Sequence, residues 1–269
     1  MNNIALGRYM PLNSVVHKMD PRAKIMILLF LMIAVFIPAG VWGYVLLSLF
    51  ILVALFLSKL QLSFALRAMK PMIWMMVFLL VINILVIKTG TLWFELGWFS
   101  IYSDAIYQTL YIVVRLTLMI IMTTILTAST KPLDLTLGIE KLLKPFEKIG
   151  LPSHIIAMMI SIALRFIPTL IEETQRIMNA QASRGVDMEN GTIKEKVMAI
   201  LSLIVPLFVS SFDRADQLAN AMEARGYIPG AVRTKLVKMK CHLLDYVVLF
   251  VVLTLFILLI LGRCGLYAL

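Results

Sequence analysis

The chain has 269 residues, of which 61% are hydrophobic and 15% are charged, and its mean hydropathy is +0.94. This balance excludes an ordinary soluble domain and is typical of a protein whose helices cross a bilayer. The net charge of +10 is explained by the excess of Lys and Arg that membrane proteins carry on their cytoplasmic side, so we expect no nucleic acid as a partner.

Five apolar runs contain few or no charges, and most approach the length of about 20 residues that a helix needs to cross hydrocarbon. In chain order they are Ile25–Ile37, Val41–Leu57, Met72–Ile87, Ala105–Leu126 and Tyr246–Leu261. Pro38-Ala39-Gly40 separates the first two runs, which we interpret as a helical hairpin with a short turn. Trp93, Trp98 and Tyr102 predict a loop on the membrane surface after the third run.

The distribution of basic residues predicts the orientation in the membrane. If the N-terminus is cytoplasmic, twenty-two of the twenty-five Lys and Arg lie on that side, within Met1–Lys24, Ser58–Lys70 and Ala128–Leu244. The positive-inside rule therefore predicts a multi-pass protein of the cell membrane with its N-terminus in the cytoplasm and its C-terminus outside.

The segment Ala128–Leu244 separates the last two predicted spans by 117 residues without a Gly/Ser-rich linker, so it should be folded. Its apolar periodicity predicts three long helices, at about Pro132–Ile149, Pro152–Arg184 and Ile193–Arg225. The last two are apolar enough to pass for spans, but crossing would carry four basic residues between them outward. We predict amphipathic helices in or under the membrane interface, with seven spans as the alternative.

The predicted fold class is thus an all-α membrane protein with about five transmembrane helices and a cytoplasmic coupling domain of three long amphipathic helices. The predicted organisation is a membrane domain with four spans at residues 1–127, the coupling domain at 128–244, and a last transmembrane helix within 245–269.

A short repeat marks the ends of two of these helices. Asn179–Gly185 and Asn220–Gly226 share the pattern N-A-x-x-x-R-G. Glycine closes a last helical turn in the left-handed conformation, and an arginine there is favoured by the negative end of the helix dipole. Each copy alone is explained by a helix cap, whereas two copies fit a partner that presents the same acidic groove twice.

Four passages make a resemblance specific. They are Ser14–Lys24 (SVVHKMDPRAK), Leu164–Glu173 (LRFIPTLIEE), the first Arg-Gly helix end and Ala221–Tyr227 (AMEARGY). Together they resemble the transmembrane T component of energy-coupling-factor transporters, the family that includes the cobalt-transporter T component. The resemblance runs from about Ser14 to Tyr227, and the usual Ala-Arg-Gly of the first motif is Ser183-Arg184-Gly185 here.

The resemblance implies a scaffold and energy-transducing subunit of an ATP-driven uptake transporter for a vitamin or a metal ion. Its partners would be two ATP-binding-cassette ATPases, identical or distinct, and a small membrane protein that captures the substrate. The residues that dock on the ATPases would be Ala182, Ser183, Arg184 and Gly185 at the first end, and Ala224, Arg225 and Gly226 at the second.

Other kinds of chemistry find little support. The chain has no G-x-x-x-x-G-K-[ST] loop, so ATP would be bound by the partner ATPases, and we expect no catalytic residue and no metal or cofactor site in this chain. A self-contained secondary transporter or channel is the alternative, and a membrane enzyme the third. Among intramembrane polar residues, Arg115 is more readily explained as structural than as functional, and Asn83 as an interhelical hydrogen bond.

We predict that Ala128–Leu244 is cytoplasmic throughout. A cysteine placed at Met188 in a chain that lacks Cys241 and Cys264 should react with an impermeant reagent only after the cells are opened. A cysteine at Lys88, which is predicted to face outward, is the control and should react in intact cells. Labelling of position 188 in intact cells would contradict the five-span topology.

Overall fold

The computed structural model describes residues 9–37, 40–96, 99–149, 152–186, 192–229, 231 and 242–263. Regular structure in these ranges is almost entirely helical, which confirms the predicted all-α membrane class. The chain forms two compact units, Met1–Leu142 with Met239–Leu269, and Leu143–Lys238. The predicted segments at 1–127, 128–244 and 245–269 follow membrane topology and stay a prediction.

The helices of the first unit enclose its core. They are α1 (Val15–Lys18), α2 (Pro21–Phe36), α3 (Gly40–Leu57), α4 (Leu62–Met69), α5 (Ile73–Val86), α6 (Ser103–Ser129), α7 (Pro132–Leu143), and, in chain order after the second unit, α10 (Leu243–Arg263). A 3-10 turn, Lys70–Met72, joins α4 to α5 at a proline.

Where the sequence predicted a surface loop, the chain forms a small β-hairpin. Strands β1 (Leu92–Leu96) and β2 (Phe99–Tyr102) pair antiparallel, with an irregular register between Leu92 and Phe94. Trp98 lies outside the described residues. The hairpin was not predicted.

The second unit contains two long helices, α8 (Ser153–Ser183) and α9 (Ile193–Ala224), preceded by a 3-10 segment at Lys144–Ile149. Their bounds match two of the three predicted helices to within a residue. The third, predicted at about Pro132–Ile149, is an α-helix only as far as Leu143, and Lys144–Ile149 is the 3-10 segment. Thr192 begins α9 with a capping box, in which its hydroxyl accepts from the N–H of Glu195 while the Glu195 carboxylate accepts from the N–H of Thr192.

Five helices in the described part of the chain are long and apolar enough to cross a membrane. Three of them, α3, α6 and α10, coincide with predicted spans, and the other two are α8 and α9. The predicted spans at Ile25–Ile37 and Met72–Ile87 form the shorter helices α2 and α5. By length, then, α8 and α9 qualify as spans, whereas α2 and α5 fall short.

The core of the first unit lies between α2, α3, α6 and α10. Its most buried apolar side chains include Val35, Leu47, Ile51, Leu118 and Val252. Outward-facing side chains are equally apolar, such as Phe56 and Trp74, which are 80% and 82% exposed. Apolar residues on both the inner and the outer side of a helix bundle are what a hydrocarbon solvent requires.

A buried carboxylate joins the beginning of α2 to the beginning of α10. Asp245, which is 3% exposed, accepts a hydrogen bond from the backbone N–H of Asp20 at 3.1 Å and another from that of His242 at 2.7 Å. Asp20 in turn caps α2 by accepting from the N–H of Arg22 at 2.9 Å. Residues 225 positions apart are thereby held together.

A buried lysine completes this end of the unit. The Lys24 ammonium, in the first turn of α2, donates to the carbonyl of Ser129 and to the hydroxyl of Thr130, both at 3.0 Å. Those two residues end α6, where the last carbonyls of a helix have no partner of their own. Lys24, near the beginning of α2, thus supplies hydrogen-bond donors to the end of α6.

Two intramembrane polar residues have partners within the first unit. Asn83 of α5 donates to the hydroxyl of Thr109 in α6 at 3.0 Å, which confirms the predicted interhelical hydrogen bond. Arg115 donates from Nε and Nη2 to the hydroxyl of Tyr44, and its guanidinium lies 5.3 Å from the Phe36 ring centre. These contacts support the structural interpretation of Arg115, and its hydrogen-bond partner is a tyrosine.

Truncation of the buried carboxylate should destabilise the first unit. In Asp245→Ala the N–H groups of Asp20 and His242 lose their acceptor, and a buried unpaired group costs about 1–3 kcal/mol. We expect the thermal unfolding midpoint of the purified chain to fall by roughly 2–10 °C. The control is Thr254→Ala, in the same helix, because the Thr254 hydroxyl is exposed and bonds only to its own helix at Phe250. Equal midpoints for the two variants would refute a stabilising role for Asp245.

Candidate functional site

The first Arg-Gly helix end is a Schellman cap built from main-chain bonds alone. Gly185 has a φ of +85°, a conformation that only glycine adopts without strain. The N–H of Gly185 donates to the carbonyl of Ala182, and that of Val186 to the carbonyl of Gln181, both at 3.0 Å. Arg184 is the last residue before the chain turns away.

The second end repeats this geometry. Gly226 has a φ of +72°. The N–H of Gly226 donates to Glu223 at 2.8 Å and that of Tyr227 to Met222 at 2.9 Å. The two caps match bond for bond, so Arg184 and Arg225 occupy the same position relative to their helices.

The predicted site residues all lie on the surface of the second unit. Ala182, Ser183, Arg184 and Gly185 are exposed, as are Ala224, Arg225 and Gly226. Neither arginine side chain has a hydrogen bond or an ion pair within the described part of the chain. An exposed guanidinium at a helix C-terminus has five N–H donors that suit a carboxylate of another protein.

The arrangement of α8 and α9 separates the two arginines. Gln181 of α8 contacts Ser202 of α9, whereas Phe166 lies 5.9 Å from the Arg214 guanidinium, so the helices run antiparallel. Arg184 therefore lies beside the first part of α9, and Arg225 lies at its far end. At 1.5 Å per residue the arginines are roughly 40 Å apart along the pair. The structure brings the members of each motif together and keeps the two motifs apart.

One contact beside the first cap was not anticipated. The side-chain amide of Gln181 donates to the backbone carbonyl of Ser202 at 3.2 Å, which links α8 to α9. A signal for it exists in the sequence, because Pro206 lies four residues after Ser202 and cannot supply the N–H that normally bonds to that carbonyl. The sequence does not reveal which side chain takes its place.

The described residues include no group of three or more His, Cys, Asp or Glu side chains that could hold a metal ion. His17 hydrogen bonds instead to the hydroxyl of Ser14 at 2.6 Å and to the carbonyl of Met10 at 2.9 Å. Burial of its imidazole lowers the pKa of His17 below the usual value. Through these two hydrogen bonds, the His17 side chain holds the residues before α2 together.

Comparisons with known proteins agree on one family. The family model described as cobalt transport protein, CbiQ, matches residues 12–239. The energy-coupling factor transporter transmembrane protein EcfT of Bacillus subtilis (strain 168) is 45% identical over 235 residues, which cover 87% of this chain and 89% of the relative.

Two further relatives match almost from end to end. The protein of the same description from Lactococcus lactis subsp. cremoris is 41% identical over 97% of this chain and 98% of its own length. That from Clostridium kluyveri is 41% identical over 98% of both chains. The chain therefore belongs to the family of energy-coupling factor transporter transmembrane proteins and is the membrane-embedded, energy-coupling component of such a transporter.

Proposed function

We propose that the chain couples two ATP-binding-cassette ATPases to a small substrate-capture membrane protein, and that Arg184 and Arg225 are the two docking points. The observation that carries this proposal is the duplicated Arg-Gly cap, exposed at two places, with neither arginine side chain bonded to another of the described residues. Two equivalent exposed arginines fit two equivalent acceptors. A pair of ATPase subunits of the same fold, each with an acidic groove, meets that requirement.

Rigidity of the helix ends supports a mechanical role. Each arginine is held by a cap of main-chain bonds at the end of a helix of 31 or 32 residues. When the ATPases close on ATP, the two docking points would move, and α8 and α9 would pass that movement along their length. The capture protein, which would lie against these helices, would then release its substrate inward.

Exposed apolar surface on the second unit supports a membrane partner. Large apolar side chains cover much of α9 and include Val197, Met198, Leu201, Ile204, Val205, Phe208, Val209 and Phe212. A continuous exposed apolar surface of this kind marks contact with a membrane or with another protein. A capture protein within the bilayer would bring α9 into contact with both the membrane and another protein. The substrate class that we propose is a micronutrient, either a vitamin or a metal ion.

A secondary transporter is the weaker alternative. The five predicted spans contain no Asp or Glu, which a proton or sodium relay would require. Arg115 is bonded to Tyr44. We therefore propose that the driving force comes from the ATPases, and that the chain lies in the cell membrane with its N-terminus and both docking points on the cytoplasmic side.

Replacement of the arginines provides the main test. Arg184→Ala and Arg225→Ala should each weaken ATPase docking by about 2–5 kcal/mol if the guanidinium is buried in the complex, and by less than about 1 kcal/mol at an exposed rim. The double variant should lose assembly and uptake. Lysine should restore function only in part, because a point charge does not reproduce the planar fork of arginine. The measurements are co-purification of the ATPases and substrate uptake.

Arg176→Ala is the matched control for these variants. Arg176 lies on α8 as well, is 79% exposed, and pairs with Glu173 at 3.5 Å, so its loss should leave docking intact. Circular dichroism should be unchanged throughout, because the caps use backbone atoms only. Full assembly and uptake in the Arg184→Ala, Arg225→Ala double variant would show that the repeat serves only to end two helices.

The isolated chain should not bind nucleotide, because it lacks a phosphate-cradling loop. Titration of the purified chain with a fluorescent ATP analogue should give no saturable signal, whereas the assembled complex should bind. Saturable binding that unlabelled ATP displaces from the isolated chain would contradict this assignment of roles.

A further inference from the structure

Pro206 interrupts the hydrogen bonding of α9. In an uninterrupted helix the N–H of residue 206 would donate to the carbonyl of Ser202, four residues earlier. Proline has no N–H, and its ring disturbs the preceding turn. Pro206 is the single proline between Ile193 and Ala224. The Ser202 carbonyl therefore lacks its normal donor at the one proline site in the helix.

Gln181 supplies the missing donor from the neighbouring helix. Its Nε2 lies 3.2 Å from the Ser202 carbonyl oxygen, and both residues are half-buried between α8 and α9. Gln181 precedes Arg184 by three residues, within the last turn of α8. The bond therefore connects the first arginine helix end directly to the proline site of α9.

The repeat itself shows that a cap of this kind does not need glutamine. The residue that corresponds to Gln181 in the second copy is Met222, and the two caps have the same main-chain bonds. In both copies this residue contributes only its carbonyl to the cap. The side-chain amide of Gln181 therefore takes no part in the cap. Its hydrogen bond to Ser202 is a separate feature of the first copy.

We propose that Gln181 is a positioning residue that joins the movements of the two arginine helix ends. By replacing the donor that Pro206 lacks, it attaches the Arg184 end of α8 to the most easily bent point of α9. A displacement of the Arg184 end then bends α9 near Ser202–Pro206 and displaces the part of α9 that ends at Arg225. This inference rests on the proposed docking roles of the two arginines.

A double-mutant cycle isolates this bond. Gln181→Met removes the donor while keeping the length of the side chain, and methionine already occupies this position in the second cap. Pro206→Ala restores the N–H at residue 206, so the Ser202 carbonyl no longer needs Gln181. We expect Gln181→Met to lower substrate uptake by about three- to tenfold in the natural background while the ATPases still co-purify. In the Pro206→Ala background the same change should alter uptake less than about twofold.

Gln175→Met is the matched control. Gln175 lies on the same helix, is exposed, and donates only to Asn179 one turn later, so its loss should not change uptake in either background. A loss of equal size from Gln181→Met in both backgrounds would overturn the proposal, because it would place the role of Gln181 elsewhere than at the Ser202 carbonyl. Normal uptake in Gln181→Met would overturn it as well.

A second readout does not depend on the ATPases. Spin labels on cysteines at Ala180 and Ala219, both exposed, report the distance between the end of α8 and the later part of α9 in the purified full chain without its native cysteines. Gln181→Met should broaden this distance distribution, and Pro206→Ala should abolish the broadening. An unchanged distribution in Gln181→Met would overturn the proposal.

The two proposals fail separately. If Gln181→Met broadens the distances while Arg184→Ala and Arg225→Ala leave docking intact, the bond joins the helices and the docking assignment is wrong. If the arginine variants lose docking while Gln181→Met changes neither uptake nor distances, the docking assignment holds and the role given to Gln181 is wrong.

Discussion

The need to pair every main-chain N–H and C=O where water is scarce governs this structure. A helix satisfies its own interior, so the difficulty is confined to places where a helix begins, ends or contains a proline. At those places the chain uses specific polar groups. Asp245 accepts from the N–H groups of Asp20 and His242, and Lys24 donates to the end of α6. These few polar contacts fix which helices lie side by side, while the apolar side chains around them fill space.

The same requirement explains how Arg115 is accommodated. Its guanidinium donates to the hydroxyl of Tyr44, and that hydroxyl donates to the carbonyl of Val35 at 3.1 Å, in the last turn of α2. A charged residue in the membrane thus takes part, through a tyrosine, in satisfying a helix end. The energetic cost of placing the Arg115 guanidinium in the membrane is offset by its hydrogen bonds to the Tyr44 hydroxyl, and no carboxylate is needed nearby.

How far the sequence predicts the structure depends on how many positions apart the interacting residues lie. The bounds of α8 and α9 and their glycine caps were predicted because a helix and its cap depend on residues within a few positions. The hydrogen bond of Asn83 was predicted because an amide in hydrocarbon needs a partner, although Thr109 could not be named. The joining of Asp20 to Asp245, and of Gln181 to Ser202, depends on which helices pack together, and local patterns carry no such information. The β-hairpin was missed because the aromatic residues that form it also suit a surface loop.

The antiparallel pair of α8 and α9 has a consequence for how such a chain can vary. Its two caps lie at positions fixed by helix length, because each residue adds 1.5 Å and a rotation of about 100°. An insertion of a single residue in α9 between Ser202 and Arg225 would turn Arg225 by more than a quarter of a circle relative to Arg184, whereas most substitutions on the exposed faces would leave both in place. The relative placement of the two arginines therefore depends more on the number of residues in α9 between Ser202 and Arg225 than on the identity of its exposed residues.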